Sequence, residues 1–414
     1  MTSRLRGGVS RIASGSDEAV ANSRVLQVVA WTWLFGGLAL FLLAVVFIPK
    51  GVSALVAGIQ EPRTSLAEVI DGTVLYQPPA AATWQQLPNR TDIPEGTRLR
   101  TDDRSRVFLT LVDGSTVLIY PNTELAVQRM SIGRFNPATQ ETVLRLFSGR
   151  VAVAVSRHPY TEGRELQLLA EDATLDLPEG SYRVAFEPTG DVDVSVRQGA
   201  ATVWYGSRAL LIGSGQRAVV AEGVGIQGPL PDDRALLAET SFATDSGRSK
   251  WWTFAVTEAG APGRIVQGAD HLRFVRETSD RSTDRHGEVG IAQTIERDIR
   301  DYSRLHLVVQ FRLDRQTLSG GGFAGTEYPL LLRVIYVDAL GREQIWAKGF
   351  YFQNEEQLPA SLGDLVGQST WITYDNPNLL QEILPTPVVL QRIEILGSGW
   401  EFDAGVRRVE LSGR

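Results

Sequence analysis

Leu111-Val112-Asp113-Gly114-Ser115-Thr116-Val117-Leu118 sets Asp-Gly between two aliphatic, β-branched runs. Asp-Gly is the favoured chemistry where a tight turn needs positive φ, because glycine has no Cβ to clash. With Arg106 to Leu111 before it and Thr116 to Tyr120 after it, the stretch predicts an antiparallel hairpin. Val69-Ile70-Asp71-Gly72-Thr73-Val74-Leu75 repeats the pattern and predicts a second one. Working outward, further short strands are expected at Glu141 to Phe147, Arg150 to Val155, Glu165 to Leu169, Ala173 to Leu177, Ser181 to Glu187, Val192 to Arg197, Ala200 to Tyr205 and Gln216 to Val220. Many short strands at close spacing, without a long helical period, predict an all-β domain over residues 67–222.

The rhythm breaks at Gly223 to Gly247. Pro229, Pro231, Asp232 and Asp233 predict a turn and then a short helix, Arg234 to Glu239, capped by an aspartate, so that 223–247 reads as an interdomain linker. A second β-rich block, 248–414, carries expected strands at Arg304 to Leu313, Tyr328 to Val337, Glu343 to Phe352, Val388 to Leu396 and Val406 to Leu411. Asp338-Ala339-Leu340-Gly341 fits a three-residue hairpin loop with Gly341 left-handed. That register puts Val334, Tyr336, Trp346, Phe350 and Phe352 on one face, expected to be core.

Ahead of both blocks, Val25 to Ile48 form an unbroken apolar run. Twenty-four residues at the helical rise reach about 36 Å, against a hydrocarbon core of about 30 Å, so a transmembrane helix over 25–48 is expected. Arg4, Arg6, Arg11 and Arg24 precede it, while only Lys50 and Arg63 follow closely. The positive-inside rule then leaves 1–24 as a disordered cytoplasmic tail, 49–66 as a linker, and the bulk of the chain outside the inner membrane. A cleavable secretory signal is the competing reading, though signal-peptide cores are shorter than this run.

Composition narrows the class. Of 414 residues, 43% are aliphatic or aromatic and 21% charged, with a net charge of -7 and no cysteine. The lack of cysteine points to a bacterial envelope protein that relies on its cores, and removes thiol catalysis and thiolate metal sites. No basic run with interleaved aromatics occurs beyond the tail, so nucleic acid is not an expected partner. His158, His271, His286 and His306 are too scattered for a spaced ligand motif, and read as surface or hydrogen-bonded structural residues.

Gly320-Gly321-Gly322-Phe323-Ala324-Gly325 satisfies the letter of the dinucleotide fingerprint, but a new strand follows it where the fingerprint needs a helix. It reads as a flexible hairpin loop. No Ser lies in G-x-S-x-G, so the nucleophile elbow is absent. Asn89-Arg90-Thr91 matches a glycosylation acceptor, which says little in a bacterial protein. No cofactor is expected. Asp403, ahead of the last strand, is a candidate for a structural calcium ion, with turn capping as the plainer reading.

Small motifs in order define a resemblance: Val107 to Leu111 before Asp113-Gly114-Ser115, then Leu118-Ile119-Tyr120-Pro121-Asn122-Thr123, then Leu144-Arg145-Leu146-Phe147-Ser148-Gly149-Arg150-Val151. Leu166 to Leu177 before Gly180-Ser181-Tyr182-Arg183-Val184 follow, and then Val194-Ser195-Val196-Arg197-Gln198-Gly199. In this the first block, about 67–222, resembles the FecR family, the extracytoplasmic domain of iron-dicitrate-type regulators. The resemblance implies a non-catalytic β-fold in the periplasm or at the cell surface. In those regulators a cytoplasmic domain touches a sigma factor and the periplasmic part responds to an outer-membrane transporter. Here the 24-residue tail has no apolar period for a helix-in-groove surface, so direct sigma-factor contact is not expected.

The second block is similar to the galactose-binding-like jelly roll of many carbohydrate-binding modules, through Gly287-Glu288-Val289-Gly290-Ile291, the Leu331 to Val337 hairpin with Gly341, and Ile393 to Leu396 before Trp400. Aromatics in such modules stack on sugar rings, which makes Trp346, Tyr351, Trp371 and Tyr374 the candidate ligand-binding residues. Core packing is the structural alternative for each. The expectation is therefore a mainly β, non-catalytic protein anchored in the membrane, with a FecR-like domain and a β-sandwich that recognises a polysaccharide or an envelope protein. A FecR-type transmembrane signalling regulator is the alternative.

Overall fold

A computed structural model describes residues 29, 31–47, 60–133, 140–157, 164–243, 248–258, 260–277 and 285–414. The chain is mainly β and divides into two compact units, 1–213 with 218–227 and 214–217 with 228–414.

In the first unit the Asp113-Gly114 hairpin forms as expected. Arg106–Thr110 pairs with Thr116–Ile119 through Thr110 opposite Thr116, and Gly114 has φ +77°. The Asp113 carboxylate accepts from the Ser115 amide at 2.8 Å and hydroxyl at 2.7 Å, which fixes the turn. The second Asp-Gly does something else. Thr64–Asp71 pairs with Arg90–Pro94 and Arg106–Thr110, whereas Val74–Gln77 pairs with Gln85–Gln86 and Arg98–Thr101. Gly72 thus turns the chain from one sheet into the other instead of closing a hairpin, with φ +73°.

Expected strands 141–147 and 150–155 prove to be one, Gln140–Val155. Its first half pairs with Glu124–Gly133 and Arg164–Ala170, and its second half with Thr116–Ile119 and Gly180–Phe186. One strand therefore belongs to both sheets, bending at Gly149, where φ is +87°. Along it Leu144, Leu146, Val151 and Val153 alternate inward and are almost fully buried in the unit's core. Between the sheets these join Val107, Leu109, Val117 and Ile119, each fully buried, a burial of about 1.5–3 kcal/mol per side chain.

The second unit is a sandwich of two six-stranded sheets. One runs Arg264–Gln267, Leu272–Arg276, Phe402–Gly413, Leu305–Gln316, Ile372–Asn376, with Arg234–Ala235 added beside Phe402–Gly413. The other runs Trp252–Thr257, Gly287–Asp298, Pro387–Gly399, Leu330–Asp338, Glu343–Tyr351, Gly363–Leu365. The 338–341 loop closes as expected, with Gly341 at φ +77°. Val334, Tyr336, Trp346 and Phe350 lie in the shared core and Phe352 packs against it.

Three expectations change. Residues 234–239 form no helix; Arg234 and Ala235 pair with Gly413 and Ser412, so this part of the expected linker is an edge of the sandwich. The Gly320–Gly325 loop is no hairpin, since Leu305–Gln316 and Leu330–Asp338 lie in different sheets and the loop carries the chain between them. In the apolar run the described helix covers 31–47. Among the described residues no helix is long and apolar enough to cross a membrane. The tail, the rest of 25–48 and most of 49–66 lie outside the described residues.

Candidate functional site

Leu330–Asp338, LLLRVIYVD, carries Arg333 inside an apolar run that ends at Asp338. Strand alternation sends Leu330, Leu332, Val334 and Tyr336 into the core, and turns Leu331, Arg333 and Ile335 to the opposite, outward face. Register assembles that face. Arg333 stands opposite Glu394 and Ala347, and Leu331 opposite Leu396 and Gly349. Glu288 and Gly290 follow across Pro387–Gly399, and Val256, Phe254 and Trp252 line the edge strand beyond.

The centre of this face is covered. Tyr328, fully buried, lies across it in a small cluster with Leu331 and Leu396. Gly349 and Gly363 make the room, since a Cβ on either would stand 2.3 Å or 2.4 Å from the Tyr328 ring. At the edge Trp252 is 46% exposed and packs tilted against Phe254, with 5.6 Å between ring centres.

Charges of alternating sign cross the face. His286 Nδ1 lies 3.2 Å from Glu327 and its Nε2 lies 3.6 Å from Glu288. Arg333 donates to both Glu288 oxygens, at 3.0 Å through Nη1, and its guanidinium also stands 3.7 Å from Glu394, which Arg392 holds at 2.8 Å. Hydrogen bonds to Glu288 and Glu327 outweigh desolvation and push the His286 pKa up to about 9. Burial alone would raise the Glu288 carboxyl, but the hydrogen bonds from His286 and Arg333 prevail and pull it down to about 2. Both groups are therefore charged throughout the neutral range. His286 and Glu288 thus present opposite charges side by side on this face.

Glu327 also organises the glycine-rich loop. Its carboxylate accepts from the Ala324 amide at 3.1 Å, its own amide donates to Gly321 at 2.8 Å, and Gly321 in turn donates to Pro359 at 2.9 Å. The loop is braced, and the residue it displays is Phe323, 66% exposed, with its ring 5.8 Å from that of Trp400. Arg276, itself 1% exposed, pins the neighbouring corner by donating to the Gly399, Trp400 and Arg285 carbonyls at 2.6–2.8 Å. The arrangement thus offers charged groups flanked by two aromatic pairs with one exposed ring each, Trp252 beside Phe254 and Phe323 beside Trp400.

The four aromatics expected to bind ligand are not brought together. Trp346 is buried in the core. Tyr374 faces the core from the other sheet, edge-on to Phe350 at 5.3 Å. Trp371 lies on the outward side of that other sheet, with the Arg407 guanidinium 4.0 Å from its ring centre and Arg312 at 5.4 Å, so its faces are already occupied. Only Tyr351 shares the ladder's face, half-buried beside Tyr328. Asp403 is engaged by Arg273, with Nε at 3.1 Å. His271 and His306 pair with Asp270 and Asp375, and His158 lies outside the described residues. No motif in the sequence marks His286, Glu288, Arg333, Trp252 and Phe323 as a group, although a lone Arg333 within an apolar strand is a usable signal.

This fold is a two-unit β protein whose second unit is a sandwich with a charged outward face. Within the first unit, residues 97–202 match the family model described as FecR protein, a narrower stretch than the 67–222 read from sequence. No curated protein matches the chain. Among solved structures, a candidate anti-sigma factor from Parabacteroides distasonis is similar at 18% identity over 31% of this chain, with TM-score 0.26. The chain covers 57% of that protein's length. The family 11 carbohydrate-binding module of a cellulosomal cellulase from Clostridium thermocellum is similar at 10% identity over 44% of this chain and 95% of its own, with TM-score 0.26. A xylan-binding CBM22-1 domain from Paenibacillus barcinonensis is similar at 10% identity over 44% and 94%, with TM-score 0.24. The family match thus falls within the first unit, whose residues 97–202 resemble the FecR family.

Proposed function

We propose that this chain is a non-catalytic binding protein of the bacterial envelope, anchored in the cytoplasmic membrane by residues 25–48 with its bulk outside, and that the sandwich recognises a polysaccharide through its ladder face. The observation that carries the reading is the pairing of two exposed rings, Trp252 and Phe323, each backed by a half-buried one, Phe254 and Trp400, with charges locked by their neighbours. Apolar ring faces and fixed polar groups side by side suit a ligand with C–H faces and hydroxyls, such as a sugar chain. A protein of the envelope is the other ligand class this face could serve. The anchor rests on the apolar sequence of residues 25–48.

A glycan array and an envelope pull-down with the full chain test the reading. We expect Trp252→Ala and Phe323→Ala each to weaken capture by about tenfold, the loss of one stacked ring. Capture that ignores both substitutions would move the site elsewhere.

The second reading is a FecR-type regulator, favoured by the family match at 97–202. Deleting residues 2–20 separates the two. A surface binder keeps its ligand and phenotype, and a regulator with an inward-facing partner loses its signal.

A further inference from the structure

The outward face of the first unit carries a cluster that the proposed function does not use. Arg98 and Arg145 stand in one row of the sheet with the small Ala126 between them. The Arg98 guanidinium lies 4.4 Å from the Phe147 ring centre, Arg100 lies 4.5 Å from that of Trp84, and Arg145 lies 5.6 Å from Phe147. Glu124 bridges Arg98 and Arg100. Arg145 forms no ion pair with a carboxylate among the described residues, so three arginines meet one acid in a chain whose net charge is -7.

The rings have a specific effect. Their faces are taken by guanidiniums, so they act as stands that hold arginine side chains upright and reduce the rotamer entropy a ligand would otherwise have to remove. The row does not end there. It continues through Leu169 and Thr174 to Trp204, 40% exposed, with Leu211, 68% exposed, on the strand beyond. From Gln77 to Ala209 it crosses eight strands, which at the usual strand spacing is about 34 Å.

We infer that this face binds an anionic polysaccharide, a linear sugar polymer bearing carboxylates. Three features point there. Guanidinium forks match carboxylates bidentately. A stripe of this length suits a polymer over a small molecule. The cluster sits in mid-sheet, where backbone groups are already paired, so an acidic peptide could not add as a strand and would have side chains alone to hold it. The exposed Trp204 and Leu211 supply apolar contacts for sugar C–H faces at the far end.

The test is calorimetry of the full chain in mild detergent with polygalacturonate, with neutral dextran and polyglutamate as comparison polymers. Polygalacturonate binding is expected, weakening as salt rises because the pairs are exposed. Arg145→Ala should weaken it by about tenfold, and Arg145→Lys by about threefold, since lysine keeps the charge and loses the fork. Arg145 makes no ion pair among the described residues and its one ring contact, with Phe147, is at 5.6 Å, so both variants should melt close to the parent. Binding of polygalacturonate that Arg145→Ala leaves unchanged, or equal binding of dextran, would overturn the inference. Tighter binding of polyglutamate would overturn it too and assign the face to an acidic protein.

Discussion

At the scale of single residues, two positions show how local chemistry constrains this molecule. A Cβ on Gly149 would stand 2.3 Å from the Thr123 hydroxyl and 2.5 Å from the Asn122 carbonyl, at a φ of +87°. Gly149→Ala should therefore cost about 2 kcal/mol or more, read as a lower urea midpoint, because backbone strain and the clash act together. An unchanged midpoint would mean that the bend does not depend on glycine. The His286–Glu288 pair makes a pH prediction with two edges. His286 is raised from 6.5 to about 9, so its contribution is fully present below pH 6.5 and fades as pH climbs through about 9. Glu288 is lowered from 4.5 to about 2, so its contribution is present above pH 4.5 and fades as pH falls toward about 2. Comparing urea midpoints of the parent and His286→Gln from pH 6 to 10 should show the parent's advantage shrinking at the alkaline end. An advantage that stays constant with pH would refute the charged pair.

At the scale of elements, the lesson lies in what alternation can and cannot say. Strands with one buried face, such as Val107 to Leu111 and Thr116 to Tyr120, were legible because apolar residues recur every second position and Asp-Gly marks the turn. Glu124–Gly133 was missed, since Glu124, Gln128, Arg129 and Ser131 break the pattern where the strand carries its bulge. Gln140–Val155 was read as two strands because Ser148-Gly149 looks like a turn; in three dimensions that dipeptide bends one strand between sheets. Aromatic residues are plain in a sequence but the face each one takes is not: Trp346 and Tyr374 pack inward, while Trp252 and Phe323 reach the surface. Arg276 makes a matching prediction for the element it supports. Arg276→Met strips charge-assisted bonds from the Gly399–Trp400 corner and should cost about 3 kcal/mol, measured in urea, while lowering the ligand capture that depends on Trp400.

At the scale of the molecule, two β units with separate cores follow an apolar segment, and each unit presents a different outward face. On the sandwich, opposite charges neutralise one another between exposed rings; on the FecR-like unit, rings hold arginines toward solvent. Both arrangements set charged groups beside aromatic rings, the pattern on which the two recognition proposals rest. The most direct measurement for the account is glycan-array and envelope capture by the full chain beside Trp252→Ala and Phe323→Ala. The account predicts a polysaccharide ligand whose capture falls about tenfold in each variant while melting is unchanged. Undiminished capture in both variants, or no ligand of either class, would contradict it.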